Sequence, residues 1–168
     1  MTTTDSWATL ARAGQHYQVF SDLLLFAVTG ADTDGAYTMI EATMPQGSGS
    51  PILHTHPQQE TLYVVEGECL VSTITRATLR TLRVGPGGVV HIPSGMPHTV
   101  KNESAAPSKL LAVFSPAGIE QFITEIGAAV TDLGVPVCPI EPPTLEHLIT
   151  VLARHQMTFI APPSDSHE

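Results

Sequence analysis

Cysteine, basic side chains and long apolar runs are all scarce in this chain, and each scarcity removes a class of function. Only Cys69 and Cys138 occur in the 168 residues, too isolated for a CxxC metal or redox pair and too few for a disulfide framework, so both read as free thiols. Seven Lys plus Arg stand against sixteen Asp plus Glu, and the formal charge of −9 argues against nucleic acid as a partner, because a phosphate backbone is held by clustered cations. The longest strongly apolar run, Leu23 to Val28, falls far short of the ~20 residues that cross a bilayer as a helix, so no membrane segment is expected. The opening residues MTTTDSWATLARAGQ lack a basic start followed by an apolar stretch; with no secretory signal, the expected location is the cytoplasm. The length suits one domain with a full core, and no internal repeat is visible.

What the chain does contain is a set of metal-ligand side chains at informative spacing. His54 and His56 flank Thr55, Glu60 follows, and His98 lies further on in PSGMPHTVKN. Side chains at i and i+2 share a face of an extended strand but diverge on a helix, so HTH reads as a strand pincer. Glu60 returns to that face after the break Pro57 to Gln59 and adds a hard oxygen to the imidazoles. Three neutral imidazoles and a carboxylate suit one divalent first-row transition metal (Fe, Mn, Ni, Co, Cu or Zn) and leave positions open for water, substrate or dioxygen. Each residue also has a plainer reading: the histidines as structural or solvated groups, Glu60 as a surface ion-pair partner beside a three-histidine site. His91 is expected to point away from the metal, and His16, His147, His155 and His167 have no ligand spacing.

The organisation is strands first and helices last. Strands are expected at Val19 to Thr29, Ala36 to Met44, Thr61 to Val65, Cys69 to Ile74, Leu79 to Val84, Val89 to Ile92, His98 to Lys101 and Leu110 to Phe114, divided by Gly, Pro, Asn or Ser. Strands this short and regularly spaced indicate an all-β sandwich or barrel. Ile119, Phe122, Ile123 and Ile126 fall at helical spacing, as do Leu145, Leu148, Ile149 and Leu152 after a Thr144 suited to an N-cap, and these helices should cover the barrel. Three segments follow: 1–35 as an N-terminal segment with a strand for the barrel or a dimer, 36–115 as the barrel core, and 116–168 as a helical extension and tail.

At this point the chain resembles a cupin, a small jelly-roll barrel or double-stranded β-helix. His54, His56, Glu60 and Gly67 keep the family's first motif in HTHPQQETLYVVEG, and Gly87, Pro93, Gly95, His98 and Asn102 keep the second in GGVVHIPSGMPHTVKN. The leading glycine of the first motif is displaced: Ser48 stands at its position, between Gly47 and Gly49. Nineteen residues, Glu68 to Pro86, separate the motifs, enough for one hairpin as in compact microbial cupins. The resemblance implies His54, His56, Glu60 and His98 as metal ligands, with Asn102 fixing the loop after His98. It also implies a homodimer, which would cover the apolar segment Val19 to Val28; the alternative cover is the C-terminal helices.

By alternation, Leu62 and Val64 should face inward with Glu60, and Val100 with His98, while Tyr63 points away. One face of the strand at residues 40–44 should line the mouth. The stripe Phe122, Ile123 and Ile126 reads as packing rather than as a substrate box. Such an interior is apolar apart from the metal and offers no cationic clamp, so the expected partner is a neutral or singly acidic small organic molecule, not a phosphorylated one. The C-terminal run FSPAGIEQFITEIG and the helix after it are similar to the extension of single-domain, quercetin dioxygenase-like cupins. That resemblance implies an oxygen-dependent cleavage of a small phenolic or enol-type substrate, with Glu60 as catalytic base. The alternatives are a non-oxidative isomerase or decarboxylase on the same metal, and a ligand-binding or sensing cupin without catalysis.

Overall fold

The computed structural model describes residues 14–134 and 143–160; Cys138, Pro142 and the SDSHE tail lie outside them. The first two strands are β1 (His16–Val19) and β2 (Asp22–Val28), where a single strand was expected. Phe20 takes a left-handed φ of 53°, which turns the chain back on itself between them. β3 (Thr38–Met44) precedes a turn-rich link, and β4 (His54–Thr55) is only two residues long. The pincer is therefore strand at His54 and loop at His56, because Pro57 has no N–H to extend a ladder. β5 (Gln59–Glu66), β6 (Cys69–Thr75), β7 (Thr78–Val84), β8 (Val89–Ile92), β9 (His98–Lys101) and β10 (Ser108–Ser115) follow close to their expected places.

Strands β3 to β10 interleave between two sheets, with only the hairpin pair β6 and β7 staying together, giving the neighbour orders β3-β10-β5-β8 and β4-β9-β6-β7, all antiparallel. This interleaving is the double-stranded β-helix, or jelly roll. Period-two burial shows which face each strand turns inward: Ser108, Leu110, Ala112 and Phe114 are buried along β10, and Glu60, Leu62 and Val64 along β5. Tyr63 is exposed on the opposite face, as alternation requires. The core forms where the sheets meet, with Ile40, Leu62, Val64, Leu110 and Ala112 from one and Cys69, Val71 and Val84 from the other.

The remaining elements close the barrel. α1 (Ile119–Ile126) buries Ile119 and Ile123, and α2 (Leu145–Arg154) starts at Thr144, whose side chain accepts from the His147 N–H at 3.3 Å. Glu120 fastens α1 to the barrel by accepting from the Gly30 N–H at 2.7 Å and the Thr38 hydroxyl at 2.5 Å. Two short strands have no periodic signal in the sequence: β11 (Ala128–Val130) pairs with β1, and β12 (Thr158–Phe159) pairs with β4. β2 lies between β1 and β3, so its apolar run occupies an interior strand rather than an edge, and the exposed-edge argument for a dimer does not hold.

Candidate metal centre

Each candidate ligand is aimed by its own stretch of backbone. β4 and β9 pair with His54 directly opposite His98. Glu60 is brought in from the other sheet, on β5 between Ile92 of β8 and Phe114 of β10. His56 sits in the loop between, and that loop is clamped by the turn at residues 93–96: the Gly95 N–H donates to the His56 carbonyl at 2.9 Å, and the Ser94 hydroxyl donates to the Pro57 carbonyl at 2.7 Å. Behind the centre, Asn102 is fully buried and ties the following loop down, donating to the Met44 and Ala106 carbonyls at 2.8 Å each. The displaced glycine of the first motif is explained by Gly49. Its φ is 111°, and a Cβ there would run into the Val100 carbonyl, so position 49 is where the chain needs the glycine.

The four residues come together. One ligand nitrogen from each of His54, His56 and His98 lies within 4.8 Å of the others. Glu60 Oε2 is 3.2 Å from His56 Nε2 and 3.1 Å from His98 Nε2, so it stands closest to two of the three rings. All three Nδ1 atoms face backbone carbonyls: His54 to Ile52 at 3.1 Å, His56 to Gln58 at 3.0 Å and His98 to Met96 at 2.8 Å. A carbonyl only accepts, so each Nδ1 carries the proton and each neutral ring is left with a lone pair on Nε2. Those lone pairs and a carboxylate converge in a buried space, a concentration of acceptors that only a cation satisfies. The donor set and the orientation of its rings fit a divalent transition metal.

Electrostatics agree with that requirement. Burial, aided by the neighbouring His98, pulls His54 down to about 4, so it is neutral and ready to ligate at ordinary pH. Burial alone would push the Glu60 carboxyl up, but the His56 and His98 rings outweigh it when a proton on Nε2, standing where a metal would bind, donates to the carboxylate, and they bring the group down to about 2. Burial also opposes the charged form of His98, yet its hydrogen bond to Glu60 prevails and raises its pKa. A proton on His98 thus does in part what a metal would do, neutralising Glu60.

The centre opens on a cavity of about 210 Å³. Ile40, Ala42, Met44, Leu62 and Val100 line it, as inward alternation implies. So do Phe122, Ile123 and Ile126 of α1, which the sequence reading assigned to packing alone. The helices cover the mouth of the barrel, so their apolar stripe serves as both core and cavity wall. His91 is exposed, its Nδ1 3.0 Å from the Thr61 hydroxyl and away from the centre. Asp22 also lines the cavity and was missed; the only signal was an acidic residue opening the otherwise apolar strand DLLLFAV.

A jelly roll with imidazoles and a glutamate converging inside it defines a class, and the comparisons name it. Residues 40–114 match the Cupin domain family, and the chain carries a cupin domain. It is similar to germin-like protein subfamily 2 member 2 of Arabidopsis thaliana, 36% identical over 99 residues that cover 53% of this chain and 44% of that one. The chain thus spans less than half the length of the curated relative it matches. Among solved structures it resembles a predicted oxalate decarboxylase from Thermotoga maritima, with a TM-score of 0.54 at 18% identity over 62% of this chain and 94% of that one. It also resembles a polyketide cyclase from Streptomyces resistomycificus, with a TM-score of 0.50 at 22% identity over 68% and 77% of the two chains. Likeness at this level is one of fold. No helix among the described residues is long and apolar enough to cross a membrane.

Proposed function

We propose that the protein is a metal-dependent cupin enzyme whose leading activity is oxygen-dependent cleavage of a small phenolic or enol-type substrate. The observation that supports this most is a metal-ligand cluster set in the wall of an apolar cavity, with no Lys or Arg among the described residues lining it. His54, His56, His98 and Glu60 would hold the metal. When bound, such a metal supplies a Lewis acid that favours ionisation of an enolic or phenolic hydroxyl and, if redox-active, a partner for dioxygen chemistry.

The chain's own groups do the rest. The carbonyls of Ile52, Gln58 and Met96 fix the imidazole rings, so substrate meets a site that needs no reorientation. Glu60 is ionised and within reach of two imidazoles, placed to accept a proton from an incoming hydroxyl and to share it with His98. Phe114, Leu62 and the α1 side chains exclude water and offer flat apolar contacts to a ring. The absence of a lining cation disfavours phosphorylated or multiply acidic substrates.

Metal content of protein purified without added metal, followed by a screen of phenolic and enolic compounds with an oxygen electrode, tests the proposal. Dioxygen uptake that depends on both compound and metal is the expected result. Turnover without uptake moves the chemistry to an isomerase or decarboxylase, and tight binding without turnover moves it to a sensing role.

A further inference from the structure

Asp22 stands apart from every other polar group of the cavity. The cavity's other ionisable side chains belong to the metal centre, and Ser50 is already engaged, its hydroxyl accepting from the Val100 N–H at 2.9 Å. Asp22 Oδ1 is buried with no hydrogen-bond partner, and so is the hydroxyl oxygen of Ser48; among the described residues only Gln58 Oε1 shares that state. No ion pair among the described residues involves Asp22.

The sheet register places it. Glu60 is level with Phe114 and Thr38, whereas Leu23 is level with Thr43, which puts Asp22 beside Met44 at the far end of β3. Ile40, Ala42, Leu110 and Ala112 fill the wall between. One end of the cavity therefore carries the metal-ligand cluster, the other carries a carboxylate with no ion-pair partner among the described residues, and the middle is apolar. An uncompensated carboxylate in such a wall is costly to fold around: burial pushes Asp22 up to about 6, and the nearby Ser48 hydroxyl offsets only part of that. A group retained at such a cost, with an open acceptor, is suited to receiving a donor from a ligand.

We propose that Asp22 is a specificity-determining residue that accepts a hydrogen bond from a hydroxyl or ammonium group at the end of the ligand remote from the metal-binding histidines. The ligand is then elongated: an oxygen-bearing head for the metal, a ring-containing apolar middle and a donor at its tail. The identity of the head rests on the function proposed above, whereas the tail contact is independent of it.

Fragments without a metal-chelating group separate the two. Toluene, benzyl alcohol and benzylamine would be titrated into the full chain as purified, with amide shifts of Leu23 and Leu24 recorded by NMR. Asp22→Leu should weaken benzyl alcohol and benzylamine about fivefold or more and leave toluene within about twofold. Asp22→Asn, a near-isosteric change, should keep the alcohol and lose the amine. The proposal is overturned if all three fragments bind both variants as they bind wild type, if none binds wild type, or if the polar fragments shift His98 rather than Leu23 and Leu24. Failure of the metal reading would appear instead in the metal content, which these fragments do not probe.

Discussion

At the scale of single residues, His54, His56 and His98 each give their Nδ1 proton to a backbone carbonyl, which leaves every Nε2 lone pair directed inward. His54→Ala or His98→Ala should strip most of the metal, while Glu60→Gln should retain more, since three imidazoles remain; metal per chain by mass spectrometry checks both. Unchanged stoichiometry in the two histidine variants would remove the site. Acid should act through the same groups. His98 has the raised pKa whereas His54 is protonated only near about 4, so acid should compete with the metal at His98 first and loss should be complete as pH falls toward about 4. Asp22 has the opposite linkage to a salt-bridged carboxylate. Its folded pKa of about 6 lies above the ordinary 3.8, so burying its charge costs stability above about 6, and that penalty vanishes below 3.8. Asp22→Asn should therefore raise stability by up to about 2 kcal/mol at pH 7. The gain should fade as pH drops through that window, followed by thermal melts at several pH values, and a gain that grew with acidity would contradict the burial argument.

Elements show why some features were legible and others were not. β10 and β5 could be read directly because alternate residues face core and solvent, and α1 and α2 because their apolar positions recur at helical spacing. The candidate site could be read because turn residues such as Pro93 and Gly95 stand at fixed offsets from His98. What escaped was what repeats too briefly or depends on tertiary placement. β11 and β12 have three and two residues, below any period, and the break at Phe20 is marked only by the short polar pair Ser21 and Asp22 between two strand-forming stretches. Asp22 is one acidic residue whose importance comes only from the cavity it faces. The β6–β7 hairpin holds a further consequence. Its loop residues Arg76 and Ala77 have φ of 51° and 59°, the mirror-image turn that suits strand twist but favours Asn-Gly. Ala77→Gly should raise the unfolding free energy by about 0.5–1 kcal/mol without touching the site, because glycine takes this conformation freely. A loss of stability in urea unfolding would contradict a strained left-handed residue at position 77.

For the whole molecule, self-association and closure are the open physical questions. The homodimer expected from the sequence no longer has an apolar edge at β2 to cover, but Tyr63, Val65 and Val89 are exposed on β5 and β8, where Tyr63 pairs with Val89. If two copies meet there, sedimentation equilibrium should give a dimer that Val89→Lys converts to monomer, and a monomeric wild type would deny the patch that role. Closure depends on the segment 143–160. β12 hydrogen-bonds along β4, with Phe159 opposite His54 and the Ile160 N–H donating to the Leu53 carbonyl at 2.8 Å, so a C-terminal strand braces the strand that carries a candidate ligand. α2 is held against α1 by Glu125, which pairs with Arg154 at 2.5 Å and His155 at 3.1 Å, and Leu148, Leu152 and Met157 wall the cavity. Ending the chain before residue 143 would remove the brace and the wall while leaving strands β3 to β10. Circular dichroism should still report the β barrel, the dye ANS should bind to the uncovered apolar interior, and metal affinity should fall by about tenfold, as when a partner orienting a ligand is lost. Affinity unchanged despite a folded, dye-binding barrel would mean that β4 holds His54 without help, and that the extension serves the cavity alone.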